Sequence, residues 1–215
     1  MKQVYFIRHG ESVSNATYTL MGPNCDLTEA GKKQAVSVAG RMQHVAFDAL
    51  ISSHYPRAQQ TAKEISKLTG KPIETCELFH ERIWPKELHG LTYDDPHKKE
   101  VEDAVFEKMA QNVPSYRYAD EENFEDLVAR AKQCKDYLES RTEKTIVVVT
   151  HGTFLRFLHA YLQFDELLTP QLALRFMMRH ATSNTGVTVY ELFDADAQKG
   201  RWRLRTWMDV AHLAE

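Results

Sequence analysis

The chain has 215 residues, 43% of them apolar and 27% charged, with ten histidines and a formal net charge of −3. That length favours one α/β domain over two, and the mild negative charge argues against a nucleic-acid-binding surface, which is normally basic. A small anionic ligand is not excluded, because a local cluster of Arg and His inverts the field within one pocket.

In chain order, VYFI (4–7) reads as a strand, and TEAGKKQAVSVAGRMQHV (28–45) as a helix with Asp26 or Thr28 supplying its N-cap oxygen. ALISS (49–53) is the next strand, and RAQQTAKEISKLTG (57–70) a helix started by Pro56 and stopped by Gly70. PIETC (72–76) is a short edge strand, given its proline. Residues 93–141 hold no convincing strand. Within them, NFEDLVARAKQCKDYL (123–138) sets Phe124, Leu127, Val128, Ala131, Cys134 and Leu138 on one helical face. TIVVVT (145–150) is β-branched without alternation, as in a strand covered on both sides. GTFLRFLHAYLQ (152–163) reads as a buried helix. GVTVYEL (186–192) and RWRLRTW (201–207) alternate around DADAQKG as a terminal hairpin.

Strands alternating with helices predict a three-layer α/β/α sandwich with a mainly parallel central sheet. The expectation is one domain over residues 1–215, with 93–141 a helical insertion that is either a solvated layer or a cover for the active face. No run approaches 18 apolar residues. The opening MKQVYFI lacks the pattern of a secretory signal. Cys25, Cys76 and Cys134 lack C-x-x-C spacing, which fits reduced thiols and offers no zinc-ligand pattern. These features predict a soluble, cytoplasmic protein with no metal site, no cofactor, and no membrane or nucleic-acid partner.

Ligands of open α/β sheets sit in a crevice at the strand carboxyl ends, and three strands send unusual residues there. Strand 4–7 ends in Arg8-His9-Gly10-Glu11, strand 49–53 leads through HYP to Arg57, and strand 145–150 runs into His151-Gly152. Singly, His151 reads as a core histidine and Arg57 as a solvated helix residue. Jointly they make an anion site, since guanidinium groups fork onto phosphate oxygens. The N-terminus of helix 152–163 would add free backbone N–H groups, and Gly10 and Gly152 would let the backbone approach a ligand.

FIRHGESVSNA, DLTEAGKKQA, ISSHYPRAQQTA, VVVTHGTFLRFL and TSNTGVTVYEL together resemble the histidine phosphatase superfamily, over nearly the whole chain. The resemblance implies a phosphoglycerate-mutase-like fold and a phosphohistidine mechanism without a metal. His9 would be the nucleophile, Arg8, Arg57 and His151 the phosphate pocket, and Asn15 a further phosphate contact. Neighbouring positive groups would keep His9 neutral by lowering its pKa. The family also has an acidic residue in the loop after the third strand, to protonate the leaving oxygen. Here ELFHERIWPKELHGLTYDDP has Pro85 where Gly is common. Glu81 is the first choice for the acid and Glu87 the runner-up.

The implied activity is hydrolysis of a small phosphomonoester. The alternatives are a phosphoglycerate-type mutase, whose longer insertion after the acid loop is missing here, or a phospho-ligand-binding module with weak catalysis. Oligomeric state stays open, as the terminal hairpin could pair at its edge or be covered.

Overall fold

The structure is a computed structural model that describes residues 1–193 and 202–214. Its strands are β1 (Lys2–Arg8), β2 (Ala49–Ser52), β3 (Ile73–Thr75), β4 (Thr145–Thr150), β5 (Val187–Leu192) and β6 (Trp202–Asp209). The helices are α1 (Val13–Ala16), α2 (Glu29–Met42), α3 (Pro56–Thr69), α4 (Pro96–Ala110), α5 (Phe124–Ser140), α6 (Gly152–Phe164) and α7 (Pro170–Arg179). The sheet order is β3-β2-β4-β1-β5-β6. β1, β2, β3 and β4 run parallel, and β5 and β6 add antiparallel. The sheet is therefore mainly parallel, as expected, and β3 lies at its edge. The DADAQKG connection of the predicted hairpin lies outside the described residues.

Alternation along the central strands divides the core. Val147 and Val149 of β4 face α2 and α3, packing with Val38, Ala39, Ala58 and Ile65. Ile146 and Val148 face the opposite layer, with Leu127, Cys134 and Leu138 of α5 and Phe157 of α6. Each fully buried Leu or Val side chain stabilises the fold by about 1.5–3 kcal/mol. The run TIVVVT lacks a polar partner phase because both of its faces are covered.

Local chemistry sets the helix ends. Thr28, not Asp26, caps α2 by accepting from Gly31 N at 2.9 Å. Pro56 opens α3, and Gly70 closes it at φ 70°. Asn123 and Asp126 form a reciprocal capping box at the start of α5. The 93–141 segment divides between two roles. α5 belongs to the sandwich core, whereas α4 brings Glu102 and Phe106 to the rim of the crevice. Thr169 as N-cap and Pro170 at the first position start α7, a helix beyond those expected above.

Candidate active site

The register of the central strands assembles the site. Arg8 is the β-partner of Thr150, His9 N donates to Thr150 O at 3.0 Å, and Ser53 N donates to Val149 O at 3.0 Å. The residues just past β1, β2 and β4 are thereby neighbours, and the His9 and His151 rings lie 5.1 Å apart. Arg57, in the first turn of α3, donates from Nε to His9 Nε2 at 3.2 Å. Arg8, His9, Asn15, Arg57, Glu81 and Gly152 line one cavity of about 480 Å³. His151 is fully buried and sits behind that surface.

Hydrogen bonds hold both imidazoles and fix the tautomer of His9. A guanidinium only donates, so His9 Nε2 must accept, and the ring proton sits on Nδ1 and is donated to Gly10 O at 2.7 Å. The Nε2 lone pair faces an arginine cluster and is taken up by the Arg57 Nε–H. Ser53 Oγ accepts from Tyr55 N and is hydrogen-bonded to His151 Nε2 at 2.8 Å. His151 Nδ1 is buried with no hydrogen-bond partner. Burial holds the His9 pKa well below its usual value, with Arg57 and Arg8 adding to the shift. The direction matches the sequence expectation, but desolvation leads and the arginines come second. Burial likewise depresses the pKa of His151, with Arg57 and His9 next in effect.

Arg8 is aimed by the loop before β5, donating from Nη1 to Thr182 O at 2.9 Å, while its Nε is buried without an acceptor. Asn184 Nδ2 donates to His9 O and to Asn15 Oδ1, both at 3.1 Å. Asn15 Oδ1 also accepts from Ser12 N and Oγ, so the Asn15 amide nitrogen is the group left for a ligand. Thr182 and Asn184 both line the cavity. Their segment, TSNTGVTVYEL, thus supplies site residues as well as a strand.

Two expectations about backbone groups are corrected. A Cβ on Gly10 would collide with the Gly31 carbonyl, so this glycine permits the approach of α2 to the β1 loop rather than of a ligand. On Gly152, a Cβ would lie 2.9 Å from Thr182 Oγ1 and 3.0 Å from Arg8 Nε. Gly152 therefore makes room for Arg8. The N-terminus of α6 is also not free. Thr153 N donates to Glu81 Oε2 at 3.1 Å, and Phe154 N to Glu81 Oε1 at 2.7 Å.

Glu81 is thus docked on the positive end of α6. Its Oε1 also accepts from Arg82 N at 2.8 Å, which uses both lone pairs of that oxygen. Oε2 accepts one bond and keeps a position for a proton. Arg130 of α5 braces the loop on either side, donating from Nη1 to Leu78 O (3.0 Å) and His80 O (2.9 Å). The same guanidinium pairs with both oxygens of Glu122 at 2.7 Å, and Glu122 in turn accepts from Ile83 N. Glu87, by contrast, is exposed and pairs with His97 at 3.2 Å outside the cavity.

The other histidines divide by burial. His54 is exposed. His212 joins Thr185 Oγ1 at 3.0 Å near the C-terminus. His159 is buried, stacked on Trp207, and its pKa is lowered to about 3 by desolvation first and His180 second. Trp84 lines the cavity beneath the Arg82 guanidinium, 4.1 Å from its ring centre.

Three buried neutral imidazoles have a consequence for stability. Their folded pKa values lie below the unfolded one, so below about pH 6.5 the unfolded chain binds more protons and stability falls. Each imidazole contributes a slope of about 1.4 kcal/mol per pH unit below that point and none above it. Urea midpoints should stay level from pH 7.5 to 8.5 and drop by pH 5.5; a flat profile down to pH 5.5 would contradict the neutral assignments.

The profile of the histidine phosphatase superfamily (branch 1) matches residues 4–210. The chain is 29% identical to a metal-independent phosphoserine phosphatase of Arabidopsis thaliana over 99% of its own length and 83% of the relative's. It is 28% identical to phosphoglycerate mutase-like protein 4 of the same plant, over 99% and 87%. The fold matches a phosphoserine phosphatase mutant from Entamoeba histolytica in complex with phosphoserine, with TM-score 0.77, 24% identity and 100% of both chains covered.

Proposed function

Because the chain belongs to the histidine phosphatase superfamily, branch 1, we propose that it is a phosphatase that hydrolyses small phosphomonoesters through a phosphohistidine at His9. The observation that carries this reading is the Nε2 lone pair of a neutral His9, held by Arg57 and Gly10 in a cavity that also contains Glu81.

In the first step, Arg57 turns from His9 Nε2 to a phosphate oxygen, the lone pair so released attacks phosphorus, and the bond from phosphorus to the ester oxygen breaks. That oxygen takes the proton from Glu81 Oε2 and leaves as the alcohol. Arg8, Arg57 and the Asn15 amide stabilise charge on the equatorial oxygens, and the His151 imidazole, 5.1 Å from that of His9, backs the pocket. In the second step, the Glu81 carboxylate takes a proton from water, whose oxygen attacks phosphorus. The bond to His9 breaks, and phosphate departs with Glu81 protonated again.

Side chains supply both the charge neutralisation and the proton transfer, so the reaction should not depend on a metal. The three cysteines are free thiols, in keeping with a reducing, cytoplasmic setting. Among the described residues no helix is long and apolar enough to cross a membrane.

The test is phosphate release from a panel of sugar phosphates, phosphoserine, phosphoglycerates and nucleotides, with and without chelator. Turnover of at least one small monoester, undiminished by chelator, is the expected result. Absence of turnover on the whole panel would leave only a binding module. A phosphoenzyme that survived water for minutes and returned its phosphoryl group to an acceptor would instead indicate a mutase.

A further inference from the structure

We propose that Arg130 and Glu122, an ion pair outside the cavity, are positioning residues for proton transfer by Glu81, so that their loss is felt where the leaving oxygen needs a proton and hardly where it does not. This rests on the phosphatase reading and adds the part of the fold that aims its acid.

Residues 80–85, which include Glu81, belong to no helix or strand, so their backbone groups need partners from elsewhere. Two anchors supply them. Arg130 Nη1 donates to Leu78 O at 3.0 Å and to His80 O at 2.9 Å, on one side of Glu81. On the other side Glu122 Oε2 accepts from Ile83 N at 2.9 Å, and Glu122 N donates to Ile83 O at 3.0 Å. The anchors are tied together, because Arg130 Nε and Nη2 each donate to a Glu122 carboxylate oxygen at 2.7 Å. The two side chains are only 8% and 12% exposed.

The Arg130 guanidinium also lies 3.6 Å from the ring centre of Phe154, the residue whose N–H holds Glu81 Oε1. One side chain therefore touches both the loop that carries the carboxylate and the helix end on which it docks. Asp120 and Glu121 extend the clamp. Asp120 Oδ1 accepts from Lys86 N at 3.0 Å, and Glu121 is the foremost negative charge acting on the buried Arg82.

A buried ion pair returns little net stability over apolar packing, because both charges give up water. What this one supplies is direction, since a planar fork fixes several groups at once where a lysine offers a point charge. An acid acts only within hydrogen-bond reach of the oxygen it protonates. A misplacement of about 1 Å costs about 10²-fold.

The experiment compares kcat/KM, which reports the phosphorylation step, for two compounds. One is the alkyl phosphate that turns over fastest in the panel above, whose alkoxide needs a proton. The other is p-nitrophenyl phosphate, whose phenolate does not. Arg130→Lys and Glu122→Gln should each lose roughly 10–100-fold on the alkyl phosphate and less than about threefold on the aryl one. In a Glu81→Gln background the same changes should cost less than about threefold on either compound, since no acid is left to aim. No loss on the alkyl phosphate, equal losses on both compounds, or losses that add in full to that of Glu81→Gln would overturn the proposal.

If the wild-type protein turns over no alkyl phosphate, it is the phosphatase reading that fails, and this role with it. One variant that keeps its cooperative thermal transition suffices for the test. If neither does, amide hydrogen exchange in the wild-type protein decides. Ile83 and Lys86 should exchange at least about 10²-fold more slowly than an open loop, and exchange at the open-loop rate would overturn the proposal.

Discussion

Replacing His9 by alanine should lower kcat/KM by about 10⁴-fold or more, the scale on which removal of a covalent nucleophile is felt. In the proposed mechanism the imidazole is the group whose lone pair reaches phosphorus, and the neighbours that fix it cannot substitute. Arg57 only donates, and His151 is engaged by Ser53 behind the cavity surface. Inorganic phosphate should still bind the variant, because Arg8 stays anchored to Thr182. Steady-state assay together with phosphate titration checks both halves. Near-normal turnover in His9→Ala would remove the covalent step from the mechanism.

The second large effect is expected at Glu81. Glu81→Gln keeps the size and accepts hydrogen bonds through its amide oxygen, but it can neither donate the leaving-group proton nor activate water. For an alkyl phosphate, kcat should fall by about 10²–10⁴-fold, the usual worth of a general acid. p-Nitrophenyl phosphate separates the two roles, since its phenolate leaves without protonation. The variant should release a burst of nitrophenol equal to the enzyme present and then turn over slowly, as the phosphohistidine waits for an unassisted water. Glu87→Gln should change kcat by no more than about twofold, as expected for a surface substitution away from the site. A larger loss at Glu87 than at Glu81 would reverse the assignment.

The parts of this site that could be read in the sequence are those where a strand ends on charge. Arg8-His9 after VYFI and His151 after TIVVVT stand out because an apolar strand has no packing reason to finish on a titratable pair. Arg57 follows Pro56 in the first turn of a helix, so its direction was set by local chemistry. The legible residues were fixed locally, and the hidden ones depend on contacts far along the chain. Glu81 reaches the start of α6 more than 70 positions away, and its docking there reverses the expected use of that helix end. Thr182 and Asn184 act through Arg8, His9 and Asn15, about 170 positions away. Arg130 braces the acid loop from a helix whose apolar face was read correctly but whose buried arginine carries no periodic signal.

The most direct measurement is to mix the protein with excess phosphomonoester, quench in alkali, where phosphohistidine survives, and map the modified peptide by mass. The mechanism predicts one phosphoryl group on the peptide containing His9, lost on acid treatment and absent from His9→Ala. Steady turnover with no phosphoryl group on any peptide, or with the group on another residue, would contradict the central role of His9.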